Sequence, residues 1–332
     1  MSAGRPRLVV LRALKLGDFL TAVPALRALA RAFPGHERIL AAPARFEELI
    51  GQTGMHRVCA TPGLVGLDPE LAGAEVAVDL HGRGPESQRI LLDLAPRRLI
   101  SFRCHAVPAT AGSPGWRPDE HEVQRWCRLL HDSGIPADPA DLRLHRPFAG
   151  PAPGGGTGPE QPTGGGGGGR PTIVHPGAAS PARRWPAERF AAVARHEVAA
   201  GRAVIVTGGP EERDLAREVA GRAGLAPTAV LAGRTSLAEL AELVAGAGRV
   251  VCGDTGIAHM ATATGTPSVV LFGPVPPAEW GPPPDPRHVA IWTGRRGDPH
   301  AGVPDRGLLE IGVDAVLAAL AALAEREGAS VG

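Results

Sequence analysis

The chain has 332 residues, a length that suits two domains of ordinary size better than one hydrophobic core. Hydrophobic residues make up 43% and charged residues 21%, as in globular proteins, and the formal net charge is +1. A chain with so little net charge lacks the basic field that attracts nucleic acid, so nucleic-acid binding is not expected.

The cysteines and the N-terminal segment indicate a compartment. The four cysteines are scattered, with no CxxC pair and no histidine nearby at zinc-ligand spacing: Cys59, Cys104, Cys127 and Cys252. We interpret them as reduced, buried thiols of a cytosolic protein. The apolar run within the N-terminal segment MSAGRPRLVVLRAL is too short for a signal peptide. No segment approaches the ~20 apolar residues of a membrane span. These features predict a soluble, cytoplasmic protein without integral membrane contact.

The first half of the chain predicts strands that alternate with helices. Residues 7–14, RLVVLRAL, form an apolar run typical of a strand buried on both faces, and residues 19–33 carry apolar side chains at helical spacing. Strands are predicted next at 37–43, 75–82 and 97–102, with helices in RFEELIGQTG and ESQRILLDLA. Residues 121–135, HEVQRWCRLLHDSGI, predict an amphipathic helix that ends at Gly134 and closes the first domain, 1–149.

Residues 150–171, GPAPGGGTGPEQPTGGGGGGRP, predict a flexible linker. This segment has almost no apolar side chain to bury and so cannot offset the entropy cost of becoming ordered. A second domain, 172–332, would follow it.

The second domain repeats the alternation of strands and helices. Strands are predicted at 172–177, 203–209, 229–233, 250–254 and 268–273, and helices at 187–200, 211–223, 236–246, from Gly256, and at Val313–Arg326. The last helix could pack on either domain. Alternating elements predict an α/β fold with doubly wound parallel sheets. Two such Rossmann-like domains facing a cleft form the GT-B arrangement, which some epimerases and phosphorylases share, so the fold alone does not name a reaction.

The first motif, LKLGDFLTAVPAL (14–26), places a carboxylate where a strand meets a helix. Ligands of open α/β sheets bind beyond the carboxyl ends of the strands, beside helix N-termini. Gly17 permits close approach of the backbone, and Asp18 would stand at that edge. Asp18 is either a helix cap, worth about 1 kcal/mol, or a catalytic group.

The second motif, HPGAASPARRWPAERF (175–190), follows a predicted strand directly. Small residues from Gly177 to Ser180 leave backbone N–H groups accessible, while Arg183 and Arg184 supply charge. Because guanidinium groups bind phosphate with two hydrogen bonds, the motif indicates a diphosphate site. A solvated basic turn is the alternative.

The third motif, CGDTGIAHMATATGTPSVVLFGPVPPAEWGP (252–282), lies at another junction of strand and helix. Asp254, Thr255 and Gly256 would meet at the helix N-terminus, with His259 one turn further on the same side. Hydroxyl, carboxylate and N–H groups together suit a sugar diphosphate. His259 taken alone would more often be a packing histidine with its hydrogen bonds satisfied.

With these motifs the chain resembles glycosyltransferase family 9, the ADP-heptose heptosyltransferases. The resemblance covers nearly the whole chain, through L-G-D-x-L-x-x-x-P (16–24), D-L-H-G (79–82), R-R-W-P (183–186), G-x-x-E-x-x (208–213), D-T-G-x-x-H (254–259) and L-F-G-P (271–274). It implies that Asp18 is the base for the acceptor hydroxyl. Arg183 or Arg184 would neutralise the donor diphosphate.

The resemblance also implies the remaining site residues. The donor side would comprise the D-T-G-x-x-H residues, either Glu211 or Glu212 at the ribose, and Ala178, Ala179 and Ser180 of the diphosphate loop. The acceptor side would comprise Lys15, the single lysine of the chain, with Gly17 and His81. Ala178 and Ala179 replace hydroxyl residues that are common in the lipopolysaccharide enzymes, and Val275-Pro276-Pro277 replaces the more usual Thr-Asp-Pro. These departures leave the donor and the acceptor open.

The expected activity is an inverting, metal-independent transfer of a heptose from ADP to an acceptor hydroxyl. No D-x-D motif is present, so arginine and helix dipoles would balance the diphosphate charge, and no cofactor is expected. The acceptor is either a sugar of a lipopolysaccharide core or a small natural product such as an aminoglycoside. The alternatives are a sugar-nucleotide 2-epimerase and a non-catalytic nucleotide-sugar sensor. We expect a monomer.

Overall fold

The computed structural model describes residues 5–146, 148 and 169–329. The chain divides into two compact units, Met1–Gly150 and Pro151–Gly332. Their boundary falls in the segment 150–171 that the sequence predicts as a linker. Residues 150–168 of that segment lie outside the described residues, so the linker stays a prediction.

The first unit contains a parallel five-stranded sheet in the order β3-β2-β1-β4-β5. Its strands are β1 (Arg7–Leu11), β2 (Glu37–Ala42), β3 (Arg57–Ala60), β4 (Val76–Asp79) and β5 (Arg98–Ile100). β1 lies between β2 and β4, and Leu11 at its end aligns with Asp79. The chain therefore winds in opposite directions on the two sides of the β1–β4 pair, and the segments that follow these strands emerge side by side.

The helices of the first unit are α1 (Leu16–Ala32), α2 (Glu86–Leu92) and α3 (Glu122–Asp132). α1 begins three residues before the predicted start at residue 19, so Gly17 and Asp18 belong to its first turn. The helix expected in RFEELIGQTG is a 3-10 helix, Ala44–Gln52, whose Phe46 ring stacks on Phe19 at 4.5 Å. β3 was not predicted from the sequence; of its four residues, RVCA, three are half-buried and one is exposed.

The second unit also has a parallel five-stranded sheet, in the order β10-β9-β8-β6-β7. Its strands are β6 (Thr172–His175), β7 (Val204–Val206), β8 (Arg249–Gly253), β9 (Ser268–Leu271) and β10 (His288–Ile291). The predicted strand at 229–233 is wrong, because only a single bridge joins Val230 to Val206. Pro227 starts a 3-10 turn there and Gly233 is left-handed, with a φ of 65°, so little extended backbone remains. As in the first unit, the chain winds in opposite directions on the two sides of a central pair of parallel strands, here β6 and β8.

The helices of the second unit are α4 (Ala187–Ala199), α5 (Arg213–Ala223), α6 (Leu237–Gly246), α7 (Gly256–Thr264), α8 (Pro277–Trp280), α9 (Arg306–Glu310) and α10 (Val313–Ala329). The helix predicted from residue 211 starts as a 3-10 turn, and its α-helical part begins at Arg213. α10 packs on this unit, since Val316, Leu320 and Leu323 are buried in one cluster with Trp185. The indole N–H of Trp185 donates to the Ile311 carbonyl at 3.0 Å, just before α10.

The four cysteines are free thiols. Cys127 and Cys252 are buried as predicted, but the prediction is wrong for Cys59 and Cys104, which are half-buried because they lie on an edge strand and in a loop. Burial raises the pKa of Cys127 to about 12, and it raises that of Cys252 as well, so both stay protonated at neutral pH. Within the residues described here, no helix has the length and apolar character needed to span a membrane.

Candidate active site

Asp18 is both a helix cap and a partly exposed carboxylate. It is the third residue of α1, and its Oδ2 accepts the backbone N–H of Lys15, the N-cap, at 3.2 Å. Its other oxygen, Oδ1, lies 3.7 Å from Nη2 of Arg12, and 22% of its side chain is exposed. Gly17 is half-buried beside it, and Lys15 is exposed. The capping contact therefore uses one carboxylate oxygen and fixes the orientation of the other.

Arg12, the first residue after β1, is 1% exposed and joins three segments of the first unit. Its Nε donates to the Asp18 carbonyl at 2.8 Å, and its Nη1 donates to the Leu80 carbonyl after β4. Its Nη2 donates to Thr21 Oγ1 in α1 at 3.3 Å and to Glu122 Oε1 in α3 at 2.9 Å. A buried guanidinium thus stands directly behind the carboxylate of Asp18.

Glu122, at the start of α3, is the buried counter-charge of this guanidinium. Its Oε1 also accepts the Trp126 indole N–H at 2.8 Å, and its Oε2 accepts from Arg125. Burial alone would raise the pKa of Glu122, but the charges and hydrogen bonds of Arg12 and Arg125 lower it below its usual value. Glu122 is therefore ionised at neutral pH.

His81 and Asp79 lie beside Arg12 at the end of β4. Nδ1 of His81 accepts the Ala13 N–H at 3.2 Å, and burial, followed by the charge of Arg12, lowers its pKa to about 4. His81 is therefore a neutral imidazole with its proton on Nε2. Asp79 is fully buried and accepts from Ser87 Oγ at 2.7 Å and from the His81 N–H at 2.9 Å. Burial raises its pKa to about 6 against these bonds.

In the second unit the arginine motif meets the D-T-G corner. Nη1 of Arg183 lies 3.5 Å from Asp254 Oδ2, with 25% of the Arg183 side chain and 7% of the Asp254 side chain exposed. Nε of Arg183 is buried, and none of the described residues forms a hydrogen bond with it. The guanidinium of Arg183 therefore lies at the end of β8, and its Nε–H makes no hydrogen bond within the described residues.

Arg184 points back to the loop that precedes it. Its Nε donates to the Ala178 carbonyl at 3.0 Å and so supports the backbone after β6. Ala178 and Ser180 are buried and Ala179 is exposed, and the Ser180 hydroxyl donates to the Ala301 carbonyl at 3.3 Å. Within this loop the two arginines differ, since Arg183 contacts a carboxylate and Arg184 holds the chain.

The two candidate ribose acids also differ in their surroundings. Glu211 is exposed, whereas Glu212 is buried and its Oε2 accepts the Gly209 N–H at 2.7 Å. Oε2 of Glu212 lies 3.7 Å from Nε2 of His175, whose Nδ1 is 3.0 Å from Thr207 Oγ1. Burial lowers the pKa of His175 although the Glu212 charge opposes that shift. Glu212 thus lies at the carboxyl ends of β6 and β7.

The N-terminus of α7 contributes the remaining donor-side residues. Thr255 is its N-cap and is half-buried, and Gly256 is its first residue. His259 packs edge-on against Trp280 of α8, with ring centroids 6.0 Å apart. The structure thus brings Asp254, Thr255, Gly256 and Arg183 to one edge of the sheet, and places His259 against an aromatic ring. No group of three or more His, Cys, Asp and Glu side chains that could hold a metal ion occurs among the described residues.

Arg12, Glu122 and Trp280 are the residues that sequence reasoning missed. Arg12 offered a signal, because a charged residue inside the apolar run RLVVLRAL needs a buried partner. Its partner, Glu122, lies 110 residues away and carried no such signal.

Comparison with known proteins supports one family. Residues 115–305, more than half of the chain, match the model of glycosyltransferase family 9 (heptosyltransferase). Lipopolysaccharide heptosyltransferase 2 of Escherichia coli (strain K12) is 29% identical over 263 residues, which cover 69% of this chain and 74% of that protein. The corresponding enzyme of Salmonella typhimurium is 31% identical over 163 residues, 46% of each chain.

Two solved structures are similar over the whole chain. The E. coli ADP-heptose LPS heptosyltransferase II has a TM-score of 0.71 at 21% identity, covering 97% of this chain and 99% of its own. A family 9 glycosyltransferase from Veillonella parvula has a TM-score of 0.74 at 19% identity, covering 98% and 99%. These similarities confirm the predicted GT-B fold class, with two Rossmann-like α/β units.

Proposed function

This chain belongs to glycosyltransferase family 9, and we propose that it transfers a heptose from ADP-heptose to an acceptor hydroxyl with inversion. The observation that carries the proposal is the carboxylate of Asp18. It lies beyond the β1–β4 pair, where sheets of this class bind ligands, with one oxygen held by a backbone N–H and its side chain partly exposed. A fixed, accessible carboxylate is suited to proton removal.

In the proposed reaction Asp18 takes the proton of the acceptor hydroxyl as the oxygen attacks the anomeric carbon. The bond from that carbon to the diphosphate breaks, and the configuration inverts. A positioned carboxylate base contributes roughly 10² to 10⁴ to a rate. His81, neutral and with its proton on Nε2, is a hydrogen-bond donor for the acceptor on the same edge of the sheet.

Arg183 and the N-terminus of α7 would stabilise the departing ADP. The charge of Arg183 and the free N–H groups of a helix start both favour a developing diphosphate charge. We propose that these protein groups replace a metal ion in this role. Glu212, rather than Glu211, is our candidate for the ribose, because it is fixed at the strand ends while Glu211 is exposed.

The names of the relatives favour a lipopolysaccharide-core sugar as the acceptor. Ala178 and Ala179 stand where the lipopolysaccharide enzymes commonly have hydroxyl residues. Because of this departure, the experiment also includes a natural product such as an aminoglycoside. The experiment incubates the protein with ADP-heptose and, separately, a heptose-terminated core oligosaccharide, a Kdo-terminated core, an aminoglycoside or no acceptor. ADP release and product mass are measured.

We expect ADP release with one acceptor and a product heavier by one heptose. Stoichiometric isomerisation of the nucleotide sugar without acceptor would instead identify an epimerase. Tight donor binding without turnover on any acceptor would identify a sensor. The Asp18→Asn variant serves as the control for background hydrolysis.

We further propose that the protein acts as a monomer in the cytoplasm. Its free cysteines are typical of a reducing compartment. Light scattering after size exclusion measures the mass against the 34.2 kDa of one chain, and a mass of two chains or more would contradict the monomer.

A further inference from the structure

The buried cluster behind Asp18 has an unusual charge balance for the interior of a small α/β unit. Arg12 and Arg125 carry two positive charges, and Glu122 carries one negative charge, all of them nearly inaccessible to water. Asp18 carries the second negative charge and is the exposed member of the four. Asp79, buried beside Arg12, adds a further negative charge above its pKa of about 6.

The hydrogen bonds of Arg12 transmit the position of Glu122 to Asp18. One nitrogen of the guanidinium bonds Glu122 and faces Asp18 Oδ1, and another bonds the carbonyl of Asp18. The Trp126 ring lies 4.8 Å from the guanidinium carbon and covers it. The planar fork has little freedom under these contacts, so a shift of Glu122 moves the group that Asp18 faces.

Stability alone is a weak explanation for this arrangement. Burying an ion pair costs desolvation free energy that well-packed apolar side chains of similar volume do not cost. Removing one partner then leaves an unpaired buried charge. A guanidinium that contacts α1, α3 and the end of β4 and faces a partly exposed carboxylate is better explained by control of that carboxylate.

We propose that Arg12, oriented by Glu122, is a positioning residue that fixes the Asp18 carboxylate and sets its strength as a proton acceptor. The proposal rests on the proposed role of Asp18 as the base. Glu122 offsets part of the positive field of Arg12 behind the carboxylate.

Other titratable and charged groups face this cluster and are present in every variant of the test. They are Lys15, the exposed N-cap of α1, and Asp79 and His81 at the end of β4. His81 is neutral above about pH 4, so its charge does not vary where turnover is measured. Asp79, with a pKa of about 6, titrates in that range in every variant, so the evidence is the difference between variants rather than one profile.

The test compares Glu122→Gln with a matched control, Glu120→Gln. Glu120 forms a similar partly buried pair with Arg128 in the same region, at 2.6 Å, without contacting Arg12. In Glu122→Gln the field of Arg12 is uncompensated. We expect the acidic limb of the kcat profile to move by roughly half to one unit toward lower pH, and the plateau kcat to fall about 10-fold. Glu120→Gln should leave both unchanged, with thermal unfolding recorded for both variants.

Arg12→Lys separates orientation from charge. It keeps the positive charge but lacks the fork, so kcat should fall about 10-fold while the acidic limb stays within roughly 0.3 pH units of wild type. Equal kcat profiles for Glu122→Gln and Glu120→Gln would overturn the proposal.

A second readout does not depend on the acceptor. The carboxyl carbon-13 signal of Asp18, assigned by its loss in Asp18→Asn, should titrate at lower pH in Glu122→Gln than in wild type. An unchanged titration would overturn the positioning role. Full turnover by Asp18→Asn would instead refute the proposed base, whatever the Glu122 variant does.

Discussion

The two sheets place opposite charges at equivalent points. In the first sheet, at β1 and β4, a partly exposed carboxylate, Asp18, stands before a buried guanidinium, Arg12, at 3.7 Å. In the second, at β6 and β8, a partly exposed guanidinium, Arg183, stands before a buried carboxylate, Asp254, at 3.5 Å. Both points lie where the winding of the sheet reverses, so the topology places a polar pair at each.

The difference between the two points lies in which member of the pair is accessible. A base must present negative charge, while a departing diphosphate is stabilised by positive charge. In each unit the buried partner lies within 4 Å of the accessible group and restricts its orientation. In the proposed mechanism, the same topology therefore supplies a base in one unit and a cation in the other, through exchange of the buried and accessible side chains.

Removing the accessible anion should have the largest effect. Asp18→Asn keeps an oxygen for the Lys15 N–H, so α1 should remain capped and donor binding intact, but the base is lost. We expect kcat to fall at least ~10²-fold. Turnover assays and calorimetric titration with ADP measure the two quantities. Near-normal turnover would return Asp18 to the role of a helix cap.

Removing the accessible cation should come next. Arg183→Ala should cost about 2 to 4 kcal/mol of transition-state stabilisation, with a larger effect on kcat than on donor affinity. Arg184→Ala is the matched control, because Arg184 supports the Ala178 carbonyl and should cost much less. Both variants are assayed with one donor and one acceptor. A greater loss at residue 184 would assign the diphosphate to the other arginine.

The buried carboxyl of Asp79, beside Arg12 at the end of β4, tests how strongly burial destabilises a negative charge in the first unit. Its pKa is raised to about 6, so its contribution to stability is complete below the unfolded value near 4 and is lost as the pH rises through 6. Asp79→Asn lacks this loss. Relative to wild type, the variant should therefore gain about 3 kcal/mol in the free energy of unfolding between pH 4 and pH 7.

Urea denaturation at four pH values measures this difference. Ser87 can turn its hydroxyl to accept from the new amide, so the variant should fold. The contribution of His81 cancels, since both proteins contain it. Parallel curves for the two proteins would show that the Asp79 carboxyl is not strained by burial.

The smallest effect should be that of a chelator. If Arg183 and the α7 N-terminus neutralise the diphosphate, excess EDTA should leave kcat unchanged. Loss of activity with EDTA, restored by magnesium or manganese, would show that the second point relies on a metal ion as well as on its arginine.

The sequence predicted the elements that carry long apolar runs and the motifs at their ends. β1, β4 and β6 lie within their predicted ranges, and β8 begins one residue before its predicted range. Weakly apolar edge strands escaped prediction, as β10 shows with three half-buried residues and one exposed. The Arg12–Glu122 pair escaped for another reason: local pattern cannot report a contact across 110 residues.

Gly253 allows the backbones of two motifs to pack closely together. A Cβ at this position would lie 2.9 Å from the carbonyl oxygen of Arg183, so any side chain there must displace the backbone that carries the arginine. A substitution at Gly253 is therefore coupled to the backbone position of the R-R-W-P segment. A mutant library meant to change donor preference should therefore vary residues around 253 and 183 at the same time. Changing residue 253 alone would produce variants in which the Arg183 guanidinium is displaced.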